Sequence, residues 1–204
     1  MTSDAENIVG LYRRHARAFA DRRHQSREPM EAAWLDRFLA LLPHRAEVLD
    51  IGCGTGAPMA RHLLAQGCHV TGVDGAPELI EVARAAMPEG RWHVGDMRGL
   101  DLGHRYQGLL AWHSLFHLTP EDQRKTFTVL DRHAAPGAAL MFTSGPEQGV
   151  AMGTLEGDPL YHASLDPAEY RDLLQRIGFD VLDHVIRDPD CGYSTIWLAQ
   201  RRAD

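Results

Sequence analysis

A doubly wound α/β fold, a mostly parallel sheet with helices on both faces, is what the sequence predicts, and three observations carry the prediction. From Val48 onward, short apolar runs alternate with amphipathic helical stretches, the order that builds β-α-β crossovers and hence parallel strands. The first run, Val48-Leu49-Asp50-Ile51, breaks into Gly52-Cys53-Gly54-Thr55-Gly56, and an amphipathic stretch follows at once: strand, tight turn, helix. The next two runs deliver Asp74 and Asp96 at their ends, placing acids where open α/β sheets bind ligands.

Composition narrows the classes. At 204 residues, with 44% hydrophobic and 24% charged residues, the chain suits one globular domain over residues 1–204, with a helical cap over about 3–42. The formal charge is -7, and the arginines are scattered apart from Arg13, Arg14, Arg17, Arg22 and Arg23, so no basic face for nucleic acid is expected. Cys53, Cys68 and Cys191 are too few and too far apart for a disulfide framework or a zinc pair, which points to a reducing cytoplasm. No run reaches membrane-spanning length, and Asp4 and Glu6 with no apolar stretch argue against a secretory leader. A monomer or a homodimer is expected.

Each element follows from its residues. Ser3-x-x-Glu6 is a capping box, and Ile8, Leu11, Tyr12, His15 and Phe19 form one stripe of a helix over residues 3–20. A second helix runs from about Pro29 to Leu42 on Trp34, Leu35, Phe38, Leu39 and Leu42, and Pro43 stops it. After the glycine turn, residues 57–66 make a helix with Met59, Ala60, Leu63 and Leu64 inward and Gly67 as its C-cap. A strand over 68–74 follows, then a helix opened by Pro77 with Leu79, Ile80, Ala83 and Met87 inward, then a strand over 91–95. The fourth strand, Tyr106 to Trp112, runs on through His113 to Leu118, and Thr119 caps the next helix with Asp122 in the capping-box position. Residues 138–143 are the fifth strand. Residues 144–165, rich in glycine and turn formers, are expected to be a binding loop or a mobile substrate lid. Asp166 caps a helix carrying Tyr170, Leu173, Leu174 and Ile177, Gly178 ends it, and strands over 179–185 and 193–199 pair antiparallel.

The chemistry of the turn separates two cofactor classes. A dinucleotide site reads G-x-G-x-x-G and must admit a pyrophosphate, whereas this turn reads D-x-G-x-G-x-G. The carboxylate of Asp50 would repel a pyrophosphate and suits the ammonium of an amino-acid ligand. Asp74, 18 residues after Gly56, stands near the offset at which an acid meets ribose hydroxyls. The run Asp50-Ile51-Gly52-Cys53-Gly54-Thr55-Gly56 resembles the first motif of class I S-adenosylmethionine-dependent methyltransferases. Asp96-Met97 resembles the family position where an acid binds the adenine amino group and the next residue covers the ring. The stretch from Leu109 to Leu118 is similar to the fourth motif of small-molecule members, and Tyr12, Ala16 and Arg23 loosely match a tyrosine, alanine and arginine near their N-terminus.

That resemblance, which spans the chain from Leu35 onward, implies a Rossmann-like seven-stranded sheet ordered 3-2-1-4-5-7-6 with the last strand antiparallel. It implies S-adenosylmethionine as cofactor and S-adenosylhomocysteine as product, held by Tyr12, Arg23, Asp50, Gly52, Cys53, Gly54, Gly56, Asp74, Gly75, Asp96, Met97 and Trp112. The implied activity is direct in-line methyl transfer to a small molecule. His113 and His117 follow the fourth strand, where the acceptor meets the methyl group; as catalytic candidates either would accept the acceptor's proton, or else both only line and pack the site. With no third ligand in the motif they do not suggest a metal. Two other readings stay open: a protein that binds S-adenosylmethionine or S-adenosylhomocysteine without methyl transfer, and a nicotinamide-dependent oxidoreductase, whose G-x-G-x-x-G is absent. Nucleic-acid enzymes that methylate amino groups usually carry N/D-P-P-Y/F where this chain reads Trp112-His113-Ser114-Leu115.

Overall fold

The computed structural model describes residues 5–24 and 29–203; Ser3, and with it the expected capping box, lies outside them. The N-terminal part forms α1 (Ile8–Arg14), α2 (Ala16–His24) and α3 (Ala32–Leu39). The single helix expected over 3–20 is thus two, bent at His15 (φ -105, ψ 14). There follow β1 (Glu47–Ile51), α4 (Met59–Ala65), β2 (His69–Asp74), α5 (Pro77–Ala86), β3 (Arg91–Val94), β4 (Tyr106–Ala111), α6 (Pro120–His133) and β5 (Ala134–Ser144). The chain continues through β6 (Gly149–Leu155), β7 (Asp158–Ser164), α7 (Pro167–Arg176), β8 (Phe179–Asp188) and β9 (Ser194–Arg201).

Seven strands form one sheet in the order β3-β2-β1-β4-β5-β9-β8, with β9 antiparallel to both neighbours. Counted along this sheet alone, the order is the 3-2-1-4-5-7-6 expected. Helices cover both faces, so its central strands are apolar on both sides, and alternate residues feed opposite cores. Along β5, Ala139 and Met141 pack with Trp34, Phe38, Leu63 and Ile80, while Leu140 and Phe142 pack with Leu49, Phe127, Tyr170 and Trp197. Strand order reverses between β1 and β4, which opens a crevice beyond their carboxyl ends.

Two local expectations fail for identifiable reasons. The fourth strand stops at Ala111: His113 takes φ +48, and Leu115–His117 form a 3-10 turn before Thr119 Oγ1 accepts from Asp122 N and caps α6. Residues 144–165 are not an unstructured loop. They fold as the β6–β7 hairpin, paired from Gly149↔Ser164 to Leu155↔Asp158 and closed by Glu156 (φ +51) and Gly157 (φ +88). A two-residue hairpin turn with both φ values positive normally announces itself as Asn-Gly or Asp-Gly, and Glu-Gly does not carry that signal.

Candidate active site

The glycine turn after β1 is held by backbone and by one carboxylate. Gly52 N and Cys53 N both donate to Val73 O (2.7 and 3.1 Å). Asp74 Oδ2 accepts from Gly54 N and Oδ1 from Ala76 N, each at 2.8 Å, so Asp74 ties the first turn to the second. Each oxygen keeps a further lone pair for a ligand. Burial pushes the Asp74 carboxyl up, and those two N–H groups oppose the shift. Gly52 has φ +76, and a Cβ built there would lie 2.3 Å from Ser114 Cβ; Ser114 in turn donates its hydroxyl to Ile51 O (2.7 Å). Gly54 turns its bare face toward Phe19 of α2, 3.3 Å from where a Cβ would stand, and Gly75 is backed by Val9. Gly56 differs from the expectation. Met87 Cε and Trp92 Cη2 come to 2.7 Å of where its Cβ would be, so it serves close helix-to-strand packing and does not face the crevice.

The crevice is a cavity of about 540 Å³, walled by the glycine turn, the ends of β2 and β3, the segment after β4, α1 and β7. Tyr12, Arg23, Asp50, Gly52, Cys53, Gly54, Asp74, Gly75, Asp96, Met97, Trp112, His113 and His117 all line it; of the residues the sequence nominated, Gly56 does not. Asp50 is 2% exposed and accepts no hydrogen bond among the described residues. Desolvation, and then the charge of Asp74, raise its pKa to about 7, which Arg23 partly opposes. Trp112 is buried, and its Nε1 has no hydrogen-bond partner among the described residues. Cys53 has its thiol pushed up by burial. Asp96, just past β3, is exposed, accepts from Arg98 Nε at Oδ1 (2.9 Å) and from Arg98 Nη2 at Oδ2 (2.5 Å), and is held low by that guanidinium. Arg23 donates to Ala57 O (3.3 Å) and sits 3.8 Å from the buried Glu31.

The two histidines are placed differently. His117 donates Nδ1–H to Tyr161 O of β7 (2.9 Å), so its Nε2 is the acceptor for the Tyr12 hydroxyl (3.0 Å). Burial lowers its pKa to about 4, so the ring is neutral and both nitrogens are engaged. It also stacks on His162 at 5.0 Å. His113 stacks on Trp112 (5.3 Å), shares a hydrogen bond with Ser194 Oγ through Nε2 (3.0 Å), and faces the cavity space; desolvation first, then Arg23, lowers its pKa to about 4. The hairpin is clasped to the N-terminal helices: Asp158 accepts from His15 Nε2 (2.9 Å) and Arg14 (3.2 Å), and Glu156 pairs with Arg22.

Among the described residues no group of three or more His, Cys, Asp or Glu could hold a metal ion, and no helix is long and apolar enough to cross a membrane. A family model described as a methyltransferase domain matches residues 22–184. The chain belongs to that family. A dTDP-4-amino-2,3,4,6-tetradeoxy-D-glucose N,N-dimethyltransferase of Saccharopolyspora spinosa is 34% identical over 102 residues, 49% of this chain and 41% of its own length. A magnesium-protoporphyrin O-methyltransferase of Rhodobacter capsulatus is 32% identical over 133 residues, 63% of this chain and 57% of its own. The chain therefore spans about half the length of the curated relatives it matches. Two solved structures share the fold. S-adenosylmethionine-bound CalS10, an amino pentose methyltransferase from Micromonospora echinaspora, superposes with a TM-score of 0.70 at 23% identity, over 90% of this chain and 95% of that one. Magnesium protoporphyrin IX methyltransferase from Synechocystis with bound S-adenosylmethionine gives 0.73 at 17% identity, over 98% of each chain.

Several wall residues had no sequence signal. Ser114 gave none because its role is to stand behind Gly52, a contact between segments far apart in the chain. Leu160 and His162 enter on β7, and only a reading of residues 149–164 as two alternating strands would have nominated them. Phe19 lay on the predicted helical stripe, but its ring meets Gly54 only through the docking of α2.

Proposed function

We propose that this protein is an S-adenosylmethionine-dependent methyltransferase that acts on a small molecule, working as one domain with α1 to α3 as its cap. The observation that carries the reading is Asp50, a buried carboxylate without a hydrogen-bond partner among the described residues, aimed into a cavity beside a glycine turn. A buried carboxyl of that kind fits an ammonium group, because the cation restores the ionised form that burial disfavours. Asp74 offers its free lone pairs to ribose hydroxyls, Asp96 and Met97 take the adenine end, and Trp112 offers its unpartnered Nε1 and ring near the sulfur. Tyr12 and Arg23 close the site from above. When bound, S-adenosylmethionine supplies an electrophilic methyl group. The chain supplies orientation and exclusion of water, the terms that dominate when no covalent enzyme intermediate is needed. His113, neutral and facing the cavity, is the ring available to an acceptor; His117 spends its lone pair on Tyr12 and works as a latch between α1 and β7. Three unpaired thiols support work in a reducing cytoplasm, and we take the protein to act as a monomer or homodimer.

Calorimetry with S-adenosylmethionine, S-adenosylhomocysteine and NAD tests the reading. Binding of the first two without NAD is expected; NAD binding alone would replace it with an oxidoreductase. Binding with no methyl transfer to any member of a broad metabolite pool would leave a nonenzymatic binder.

A further inference from the structure

Beyond His113 and Phe116, which both cavities share, lies a second cavity of about 350 Å³ between the ends of β5, β8 and β9. We propose that this cavity is the acceptor subsite and that it selects a small molecule carrying an anionic group, carboxylate or phosphate, received by Arg187. The assignment of the reacting end rests on the larger cavity being the methyl-donor site; the anion site itself does not.

Charge separates the two spaces. The larger cavity is walled by Asp50, Asp74, Asp96, Asp122 and Glu6. Among the described residues the smaller has no Asp or Glu in its wall, and its charged side chain is Arg187. An acceptor with a negative group is repelled from the first space and admitted to the second. Arg187 makes no ion pair or side-chain hydrogen bond among the described residues, unlike Arg23 and Arg98 of the larger cavity. The adjacent carboxylate does not neutralise it: Asp188 turns its oxygens to Trp34 Nε1 (2.7 Å) and Asp190 N (3.0 Å). An exposed guanidinium on the wall of this cavity, with its planar donor fork unspent, is suited to two parallel bonds with a carboxylate or phosphate.

The backbone here is set for the purpose. Arg187 lies in a β-bulge of β8, between the registers of Val185 and Asp188, with φ +54 and its own N–H fixed by Thr195 Oγ1 (3.3 Å). Bulges re-aim a side chain that regular pairing would send elsewhere. Of the five non-glycine residues with positive φ among the described residues, three, His113, Arg187 and Tyr193, line this cavity. Tyr193, 71% exposed, presents an aromatic face at the rim, and Ser194 Oγ, bonded to His113 Nε2, adds a hydroxyl between the anion site and the shared wall. An acceptor anchored at Arg187 therefore reaches past His113 toward the donor cavity.

The test uses the full chain, with and without S-adenosylhomocysteine, and three probes read by calorimetry and ligand-observed NMR: phenyl phosphate, phenylacetate and benzyl alcohol. Both anions, or one of them, are expected to bind and the neutral alcohol not, which also tells phosphate from carboxylate preference. Arg187→Gln is expected to weaken the anion by about tenfold or more, Arg187→Lys by less, while S-adenosylhomocysteine affinity stays within about twofold of wild type. Anion binding without S-adenosylhomocysteine binding would sink the methyltransferase reading and leave the anion site standing. Equal binding of the alcohol, no binding of either anion, or an unchanged affinity in Arg187→Gln overturns the proposal.

Discussion

Around the larger cavity, the wall made by β1, β2 and their turns is held by backbone hydrogen bonds and buried groups, whereas the opposite wall, α1, α2 and the β6–β7 hairpin, is clasped by ion pairs at the surface. On the first side Gly52 N and Cys53 N share Val73 O, and Asp74 is closed by two N–H groups at 2.8 Å. On the second, Arg14 and Asp158 meet at 3.2 Å with side chains 60% and 43% exposed. Buried geometry of the first kind tolerates no added atoms, and exposed pairs of the second kind contribute little each. The molecule thus sets a glycine-turn wall fixed by buried contacts against a wall whose surface pairs add little each.

Paired glycine substitutions break this comparison most sharply. Gly52→Ala places a Cβ 2.3 Å from Ser114 Cβ at φ +76, and is expected to cost about 3 to 5 kcal/mol in urea unfolding from overpacking and left-handed strain together. Gly157→Ala sits at φ +88 with no described residue within 4 Å of its Cβ, and strain alone should cost about 1 to 2 kcal/mol. Equal costs at the two positions would remove the contrast between the walls.

The same contrast decides what could be read from the sequence. The glycine-turn side was legible as structure because its determinants are local: a glycine turn, an acid at a fixed offset, and caps such as Thr119 and Asp166, whose side chains accept from Asp122 N and Ala168 N as their positions suggested. Gly56 shows the limit even there, since its spacing is the same whether it faces a ligand or, as here, Trp92. The lid side was not legible, because Glu156-Gly157 lacks the usual turn signal and its clasp joins Asp158 to His15, 143 positions apart. Arg187 was hidden for a similar reason: a bulge, not a motif, aims it.

Asp50 sharpens the donor side through pH. Folding raises its pKa from 3.8 to about 7, so between these values the folded protein holds a proton that the unfolded chain releases. Stability attributable to this group therefore falls as pH rises through that window, by about 2 to 4 kcal/mol in all. Asp50→Asn should be more stable than wild type at pH 8 and similar at pH 4, while losing cofactor affinity. Wild-type affinity for S-adenosylmethionine should rise with pH toward about 7 and level off above it, as the carboxylate forms. An affinity flat from pH 5 to pH 8 would separate Asp50 from the ammonium.

Asp74 has two tasks, and its variants should tell them apart. Asp74→Ala removes the acceptor for ribose hydroxyls and frees Gly54 N and Ala76 N; a loss of cofactor affinity of about 1 to 3 kcal/mol is expected by calorimetry. Asp74→Asn keeps an oxygen for one N–H and should lose less. If Asp74→Ala binds S-adenosylhomocysteine as wild type does, the carboxylate serves the turn alone.

The smallest effect is expected at the clasp of the lid. Asp158→Ala removes the partners of Arg14 and His15 at once, yet the pairs are exposed, so global stability should change by less than about 1 kcal/mol. The hairpin's base is fixed independently, since Gln123 Nε2 donates to Ala163 O (2.9 Å, buried) and Gly145 N donates to Ser164 Oγ (2.6 Å, half-buried). Only the outer part of β6 and β7 should therefore loosen. Amide exchange in residues 150–161 should accelerate several-fold over wild type without ligand, and S-adenosylhomocysteine with an acceptor should slow it again. Raising salt on the wild type should have the same effect as the substitution, because screening acts on the exposed pairs and leaves the buried anchors intact. Exchange that stays slow in the variant would mean that the latch from Tyr12 through His117 to Tyr161 O holds the lid without the clasp.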